Sequence, residues 1–298
     1  MRENKVIYGL IGYGGMGRWH TEILSNVPEI EIGGIYDIKE EKRIEAKEKG
    51  FSVYGSEEEM LSDPDIDVVL IATPNDCHKP IAIRAMHAGK NVISEKPVTL
   101  SSADLLEMEK VAKETGKLFT VHQNRRWDDD FLIIKKLVEE QKLGHVFRIE
   151  SRVHGSRGIP GDWRKEKVHG GGMVLDWGVH LLDQILYMYG DRKIETVYAS
   201  LTNITNQEVD DGFTAILTFE GGTEVLVEVG TNICRNIKEA KEEVIYLRKM
   251  VAELAAQQGL RIAAAGTHPF SLWQEQLITD NPRYHEIVNE MQDAARSN

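Results

Sequence analysis

Six residues, Gly12-Tyr13-Gly14-Gly15-Met16-Gly17, stand between the apolar run Val6-Ile7-Tyr8-Gly9-Leu10-Ile11 and a stretch with helical spacing. A strand, a glycine turn and a helix in that order open a doubly wound parallel sheet. The first glycine permits the tight turn, the second lets the backbone approach a pyrophosphate, and the third lets helix and strand pack closely. N–H groups at the helix start then face the phosphates. Asp37 lies about twenty residues further on, where a carboxylate accepts hydrogen bonds from an adenosine ribose and repels a 2′-phosphate. It also suits the solvated start of a helix. Cofactor contacts are expected at Gly12, Gly14, Gly15, Met16, Gly17 and Asp37, with NAD preferred. Lys39, Lys42 and Arg43 leave room for NADP.

Strand and helix signals alternate up to about residue 122, with strands expected at 6–11, 31–36, 67–72, 91–94 and 118–121. Helices are expected at 16–26, 39–49, 78–88 and 101–115, the second stopped by Gly50 and the fourth by Gly116. Ser56 and Glu59 form a capping box for a shorter one. A helix at 127–140 leads into segments at 145–153, 194–204, 213–219 and 223–229 that read as antiparallel strands, interrupted by one long helix at 170–189. Beyond Gly230 a long amphipathic helix at 237–258, with a charged face at 239–243, precedes a short strand at 261–265 and a turn at 266–269. The expected units are 1–122, a Rossmann sheet; 123–232, a shortened α+β substrate and oligomerisation unit; and 233–298, an atypical helical region.

With 298 residues, two units of ordinary size are affordable. Lys plus Arg (36) against Asp plus Glu (48) gives a net charge of −12 and no basic stripe, which argues against nucleic acid. Cys77 and Cys234 lie far apart without metal-ligand spacing, so plain thiols and no metal site are expected. No apolar run reaches membrane-spanning length and no leader pattern precedes the first strand, so a cytoplasmic protein is expected.

Thr73-Pro74-Asn75 and His78 follow the buried-looking run 68–72, at the strand edge where open α/β sheets bind ligands. Thr73 and Asn75 are placed to line a cofactor; His78 either does so or merely begins the next helix. Glu95-Lys96-Pro97 follows the next strand, and the rigid Pro97 makes a positioned ammonium at Lys96. Helical spacing puts Asp176, His180, Asp183 and Tyr187 in one stripe on an otherwise apolar helix. Asp176 and His180 either satisfy each other in the core or face a cleft as carboxylate and imidazole. Gly170-Gly171-Gly172 would admit a substrate near the first turn of that helix.

Together, Gly12-x-Gly14-x-x-Gly17, Thr73-Pro74-Asn75-x-x-His78, Ala88-Gly89-Lys90-Asn91-Val92, Glu95-Lys96-Pro97 and Gly171-Gly172-x-x-x-Asp176-x-x-x-His180 resemble the glucose–fructose oxidoreductase / inositol dehydrogenase / rhizopine catabolism family. The resemblance runs from about residue 4 to about 229. It implies an NAD(P)-dependent oxidoreductase acting on a sugar, cyclitol or related polyol, with Lys96, Asp176 and His180 matching the catalytic lysine, aspartate and histidine. It also implies cofactor contacts at Thr73, Asn75, His78, Glu95, Lys96, Asn124, Trp163 and Arg164. The alternatives are an NAD-dependent glycosidase of the same family, which takes and returns a hydride, or, as a separate class, a dinucleotide-binding protein without turnover. Asn124-Arg125-Arg126-Trp127-Asp128 is similar to scyllo-inositol dehydrogenases. Family members continue the second sheet for roughly another hundred residues. Here, Gly230 to Arg235, Ala264 to Phe270, Trp273 and Arg283-Tyr284 instead resemble carboxylate–amine ligases of the glutamate–cysteine ligase type, without their ATP-grasping opening. An incomplete second sheet bears on substrate binding and on the homo-oligomer that the family forms through it.

Overall fold

The structure, a computed structural model, describes residues 5–190 and 192–232 and the backbone of two short strands beyond them. In the first half, β1 (Val6–Ile11), β2 (Ile30–Tyr36), β3 (Val68–Ile71), β4 (Asn91–Ser94) and β5 (Phe119–Val121) pair in the order β2-β1-β3-β4-β5, all parallel. The connections are α1 (Gly15–Leu24), α2 (Glu40–Glu48), α3 (Glu57–Ser62), α4 (His78–His87) and α5 (Ser102–Thr115). The sequence Val-Val-Leu-Ile of β3 is buried at all four positions, as a central parallel strand covered on both faces must be. One face packs Ile7, Val69, Ile71 and Val92 against Ala82, Met86 and Met108; the other packs Leu10, Ile35 and Leu70 with Tyr13 and Ala46. Each such large aliphatic side chain contributes roughly 1.5–3 kcal/mol on burial.

Local sequence sets the ends of these elements. Ser56 Oγ accepts the N–H of Glu59 at 3.1 Å, while the Glu59 carboxylate takes the N–H of Gly55 at 2.7 Å, one residue earlier than a capping box requires. Gly116 ends α5 in the left-handed conformation at φ 64°. Lys90 is buried because its ammonium is spent on the carbonyls of Asp63 and Ile66, and burial pulls its pKa down.

In the second half, α6 (Asp129–Glu139), β6 (Arg148–His154), α7 (Val179–Tyr189), β7 (Ile194–Thr202), β8 (Gly212–Phe219) and β9 (Thr223–Gly230) form a sheet of order β6-β9-β8-β7. Leu181, Ile185 and Tyr189 of α7 pack on Phe213, Leu217, Phe219, Val225 and Val227. The β7–β8 and β8–β9 pairs are antiparallel, but β6 runs parallel to β9. That parallel pair departs from the alternation-based expectation. The connection leaving β6 passes through α7 before the chain returns to the sheet, and so long a crossover permits parallel pairing.

Two expected helices are interrupted. The one at 127–140 is a 3₁₀ turn, Asn124–Trp127, followed by α6, with Asp128 extended between them. Trp127 is 75% exposed and Phe131 buried, so only the residues after Asp128 have a face to bury. The one at 170–189 is a π-helical turn, Val174–Gly178, followed by α7. Gly170 and Gly172 take φ 70° and 101°, which excludes an α-helix before that turn. Beyond residue 232, β10 (Arg261–Ile262) pairs antiparallel with β11 (Leu277–Ile278), and β10 falls within the strand expected at 261–265. The helix expected at 237–258, the turn at 266–269 and Cys234 lie outside the described residues. Among the described residues no helix is long and apolar enough to cross a membrane.

Candidate active site

The loop between β1 and α1 leaves space for a ligand. A methyl group added at Gly14 or Gly15 meets nothing within 4 Å. Gly12 has φ 96° and its added methyl would lie 2.6 Å from Ala72 O; one on Gly17 would lie 2.1 Å from Gly12 O. The outer glycines therefore hold turn and helix together while the middle ones stay clear. No side-chain hydrogen bond caps α1, so its first-turn N–H groups are open to an anion. Met16 is half-buried beside them. Asp37 follows β2 directly. Its Oδ2 accepts the N–H of Tyr13 at 2.6 Å and its Oδ1 that of Lys39 at 2.8 Å, which fixes the carboxylate against the glycine loop. This is a cradle suited to a dinucleotide. Of the nearby cations, Lys42 and Arg18 both bind Glu45, and Arg43 Nη1 lies on the carbonyls of Asp37 and Ile38.

Thr73 stands half-buried at the end of β3, beside Gly12. Asn75 is buried and donates from Nδ2 to Gly170 O at 2.8 Å, which joins the two halves. His78 is wholly buried, its Nδ1 2.8 Å from Pro97 O and its Nε2 3.0 Å from Thr73 O. Both ring nitrogens thus face backbone and not a ligand. Glu95 is buried too: Oε1 accepts from His20 Nε2 at 2.7 Å and His122 Nδ1 at 3.1 Å, and Oε2 takes the N–H of Lys96 at 3.2 Å. Burial works to raise the Glu95 carboxyl, but the two histidines outweigh it and hold it well below the usual range. The ligating atoms of His20, Glu95 and His122 lie within 4.8 Å of one another, a set able to hold a metal ion, though here they bond one another. Sequence reading missed His20 and His122, which come from α1 and the end of β5.

Lys96, joined to Pro97 by a cis bond, places its ammonium 3.0 Å from both Asp176 O and Asp176 Oδ1. Arg164 Nε stands 3.2 Å from the same Oδ1, as an ion pair without hydrogen-bond alignment. Burial pushes the Asp176 carboxyl up, and the charges of Lys96 and Arg164 more than reverse this. His180 is buried, with Nδ1 lacking a partner. Burial first, then Lys96 and Arg125, push its pKa down to about 3, so the ring is neutral at ordinary pH. The expected stripe is therefore split. Asp176 turns to Lys96, whereas Asp183 forms a bidentate pair with Arg126 at 2.7 and 2.6 Å and Tyr187 lies under the Arg126 guanidinium. The π turn that contains Asp176 and precedes α7 breaks the 3.6-residue register on which that stripe rests.

The three glycines at 170–172 are taken up by the protein itself. Added methyl groups would lie 2.3 Å from Leu100 Cδ2, Arg164 O and Asp210 Oδ1 respectively. Asp210, which sequence reading missed, accepts the N–H groups of Met173 and Val174 at 2.9 Å on Oδ2 and so caps the π turn. Trp163 stacks under the Arg164 guanidinium, 4.6 Å from ring centroid to Cζ. The Asn124–Trp127 turn is fastened to α7 by Gln184 Nε2 on Arg125 O at 2.7 Å, and Arg125 sits 4.4 Å over the Trp177 ring. Thus Lys96, Asp176 and Arg164 meet, with His180 on the following turn.

Residues 6–123 match the family described as Oxidoreductase family, NAD-binding Rossmann fold, and 131–243 match the GFO/IDH/MocA C-terminal domain. Residues 199–297 match Glutamate-cysteine ligase family 2. An NAD-binding protein of Listeria innocua is 53% identical with a TM-score of 0.75, covering 77% of this chain and 68% of that one. The scyllo-inositol 2-dehydrogenase (NADP(+)) IolW of Bacillus subtilis is 31% identical over 68% of this chain and 57% of its own. A putative glutamate–cysteine ligase 2 of Herpetosiphon aurantiacus is 58% identical over 71 residues, 24% of this chain and 18% of its own. The chain spans about half the length of the curated oxidoreductases it matches. With a five-stranded parallel sheet, an open glycine loop and a second, mixed sheet in one chain, the protein belongs to the GFO/IDH/MocA oxidoreductase family with the NAD-binding Rossmann fold.

Proposed function

We propose that the protein is a dehydrogenase that oxidises a secondary alcohol of a cyclitol, sugar or related polyol, with NAD preferred to NADP. The observation that carries the reading is the half-buried Lys96–Asp176 ion pair beside the neutral imidazole of His180. The glycine loop and the first turn of α1 would hold the pyrophosphate, and Asp37 a ribose. Thr73, Asn124, Trp163 and Arg164 are the remaining candidates to line the nicotinamide end. Bound there, the dinucleotide supplies an acceptor for the hydride leaving the alcohol carbon.

The chain's own groups then handle the proton and the charge. His180, unprotonated at neutral pH, takes the proton of the alcohol. Its pKa of about 3 describes the site without a substrate; an alkoxide forming nearby adds negative charge and raises the affinity of the ring for a proton. The Lys96 ammonium stabilises the developing alkoxide, and Asp176 holds that ammonium in place. Preference for NAD rests on Asp37 and on the engagement of Lys42, Arg18 and Arg43 elsewhere, which leaves those three cations committed before a 2′-phosphate arrives. IolW, by contrast, is named for NADP(+).

The test is reduced-nicotinamide absorbance against a panel of inositols, aldoses and sugar acids, with NAD and NADP in parallel. Reduction of NAD by one polyol class is the expected result. Cofactor binding with no reduction across the panel would refute the dehydrogenase reading and favour a binding protein; glycoside cleavage without net reduction would favour a glycosidase.

A further inference from the structure

His78 opens α4 with its ring fully enclosed, and its two nitrogens reach the carbonyls of Pro97 and Thr73 at 2.8 and 3.0 Å. Those carbonyls belong to the two loops that leave β3 and β4 at the ligand-facing edge of the sheet. The first loop carries Asn75, bonded to Gly170 O; the second carries Lys96. Lys96 is fixed at its ammonium by Asp176 and at its own N–H by Glu95 Oε2. Pro97 has no N–H, so its carbonyl is the next backbone polar group by which the chain after Lys96 can be held. A buried carbonyl left unpaired costs roughly 1–3 kcal/mol, enough to move a loop to a new position.

We propose that His78 is a positioning residue for Lys96, donating from Nδ1 to the carbonyl of Pro97. The function assigned to Lys96 is the one proposed above, but the bracing of Lys96 by His78 is a property of the free protein. Both carbonyls only accept, and burial pulls the His78 pKa down, so the neutral ring has one N–H to give; the shorter contact, Nδ1 to Pro97 O at 2.8 Å, is the one assigned the proton. His78 is thus a donor to the lysine loop and not a ligand of the cofactor.

Two substitutions separate the two contacts. The side-chain nitrogen of asparagine stands where Nδ1 stands, and that of glutamine where Nε2 stands. His78→Asn therefore keeps the Pro97 contact and His78→Gln keeps the Thr73 contact. Reductive methylation of the 298-residue chain, read lysine by lysine by mass spectrometry, reports how well each ammonium is held; the Lys96 side chain is 13% exposed and should label slowly. Lys96 in His78→Gln should label at least about threefold faster than wild type, through local opening. His78→Asn should stay close to wild type, and Lys90 should not change in either. Equal labelling of Lys96 in the two variants, or a joint rise of Lys90 and Lys96, would overturn the proposal.

A measurement on the wild-type protein covers the case in which neither variant folds. Nitrogen-15 NMR of the His78 ring should show a protonated Nδ1, and a bare Nδ1 would overturn the proposal. Neither readout needs turnover. Failure of the polyol panel would therefore remove the proposed reaction and leave the bracing of Lys96 to be judged on its own result.

Discussion

Methyl groups added at Gly14 and Gly15, at the start of α1, meet nothing within 4 Å, whereas those added at Gly170, Gly171 and Gly172, ahead of the π turn, each strike a protein atom at 2.3 Å. The first pair leaves room for something outside the chain. The second group lets the chain pack on itself, so that Asn75 and Asp210 can reach the backbone before Asp176. A glycine cluster beside a candidate site thus has two physical meanings, and only the direction in which the missing side chain would point separates them. The candidate site combines one of each: an open floor for the proposed dinucleotide and a closed collar before Asp176, which meets Lys96.

The largest expected effect falls on the collar. Gly172→Ala puts a side chain at φ 101° and against the carboxylate of Asp210, and should cost about 3 kcal/mol or more of stability. Urea unfolding checks it, and an unchanged midpoint would break the contrast. A smaller effect concerns pH. The pKa of His180 in the folded protein, about 3, lies below the value near 6.5 of a free imidazole, so its contribution is complete above pH ~6.5 and is lost as pH falls towards 3. By pH ~5 the loss reaches at most about 2 kcal/mol, well before Asp176 begins to titrate. His180→Asn should flatten stability between pH ~7 and ~5 relative to wild type; parallel curves would show that the ring is not held neutral by burial. The smallest effect belongs to the open loop. Gly14→Val, at φ −77° and ψ −153°, should leave stability within about 0.5 kcal/mol and weaken NAD binding roughly tenfold, measured by fluorescence titration. Unaltered affinity would mean that the loop does not cradle the pyrophosphate.

The first half of the fold was legible because its signals are local. An apolar run, a glycine turn and a capping serine each act within a few residues, and β1 and β4 fall where their patterns place them. The site was legible in its members but not in their partners. Lys96 and Asp176 stand out by type and context, yet Asn75 meeting Gly170, Asp210 meeting Met173 and Glu95 meeting His20 join residues far apart in sequence, which no periodicity announces. The stripe from Asp176 to Tyr187 failed as a single face because a π turn has no signature in the spacing of apolar residues. The parallel pairing of β6 depends on the long connection through α7, and alternation alone cannot reveal it. The glutamate–cysteine ligase likeness was readable as motif from Gly230 onward, although the family match begins at residue 199, and most of the residues that carry it fall outside the described structure.

The central claim is that Lys96, held by Asp176 beside His180, stabilises the reacting oxygen above a dinucleotide-binding floor. Its most direct test pairs NAD affinity with turnover of the best polyol for wild type and Lys96→Met. The account predicts affinity within about threefold and turnover lower by roughly 10² or more. Turnover that survives the loss of the ammonium would contradict it.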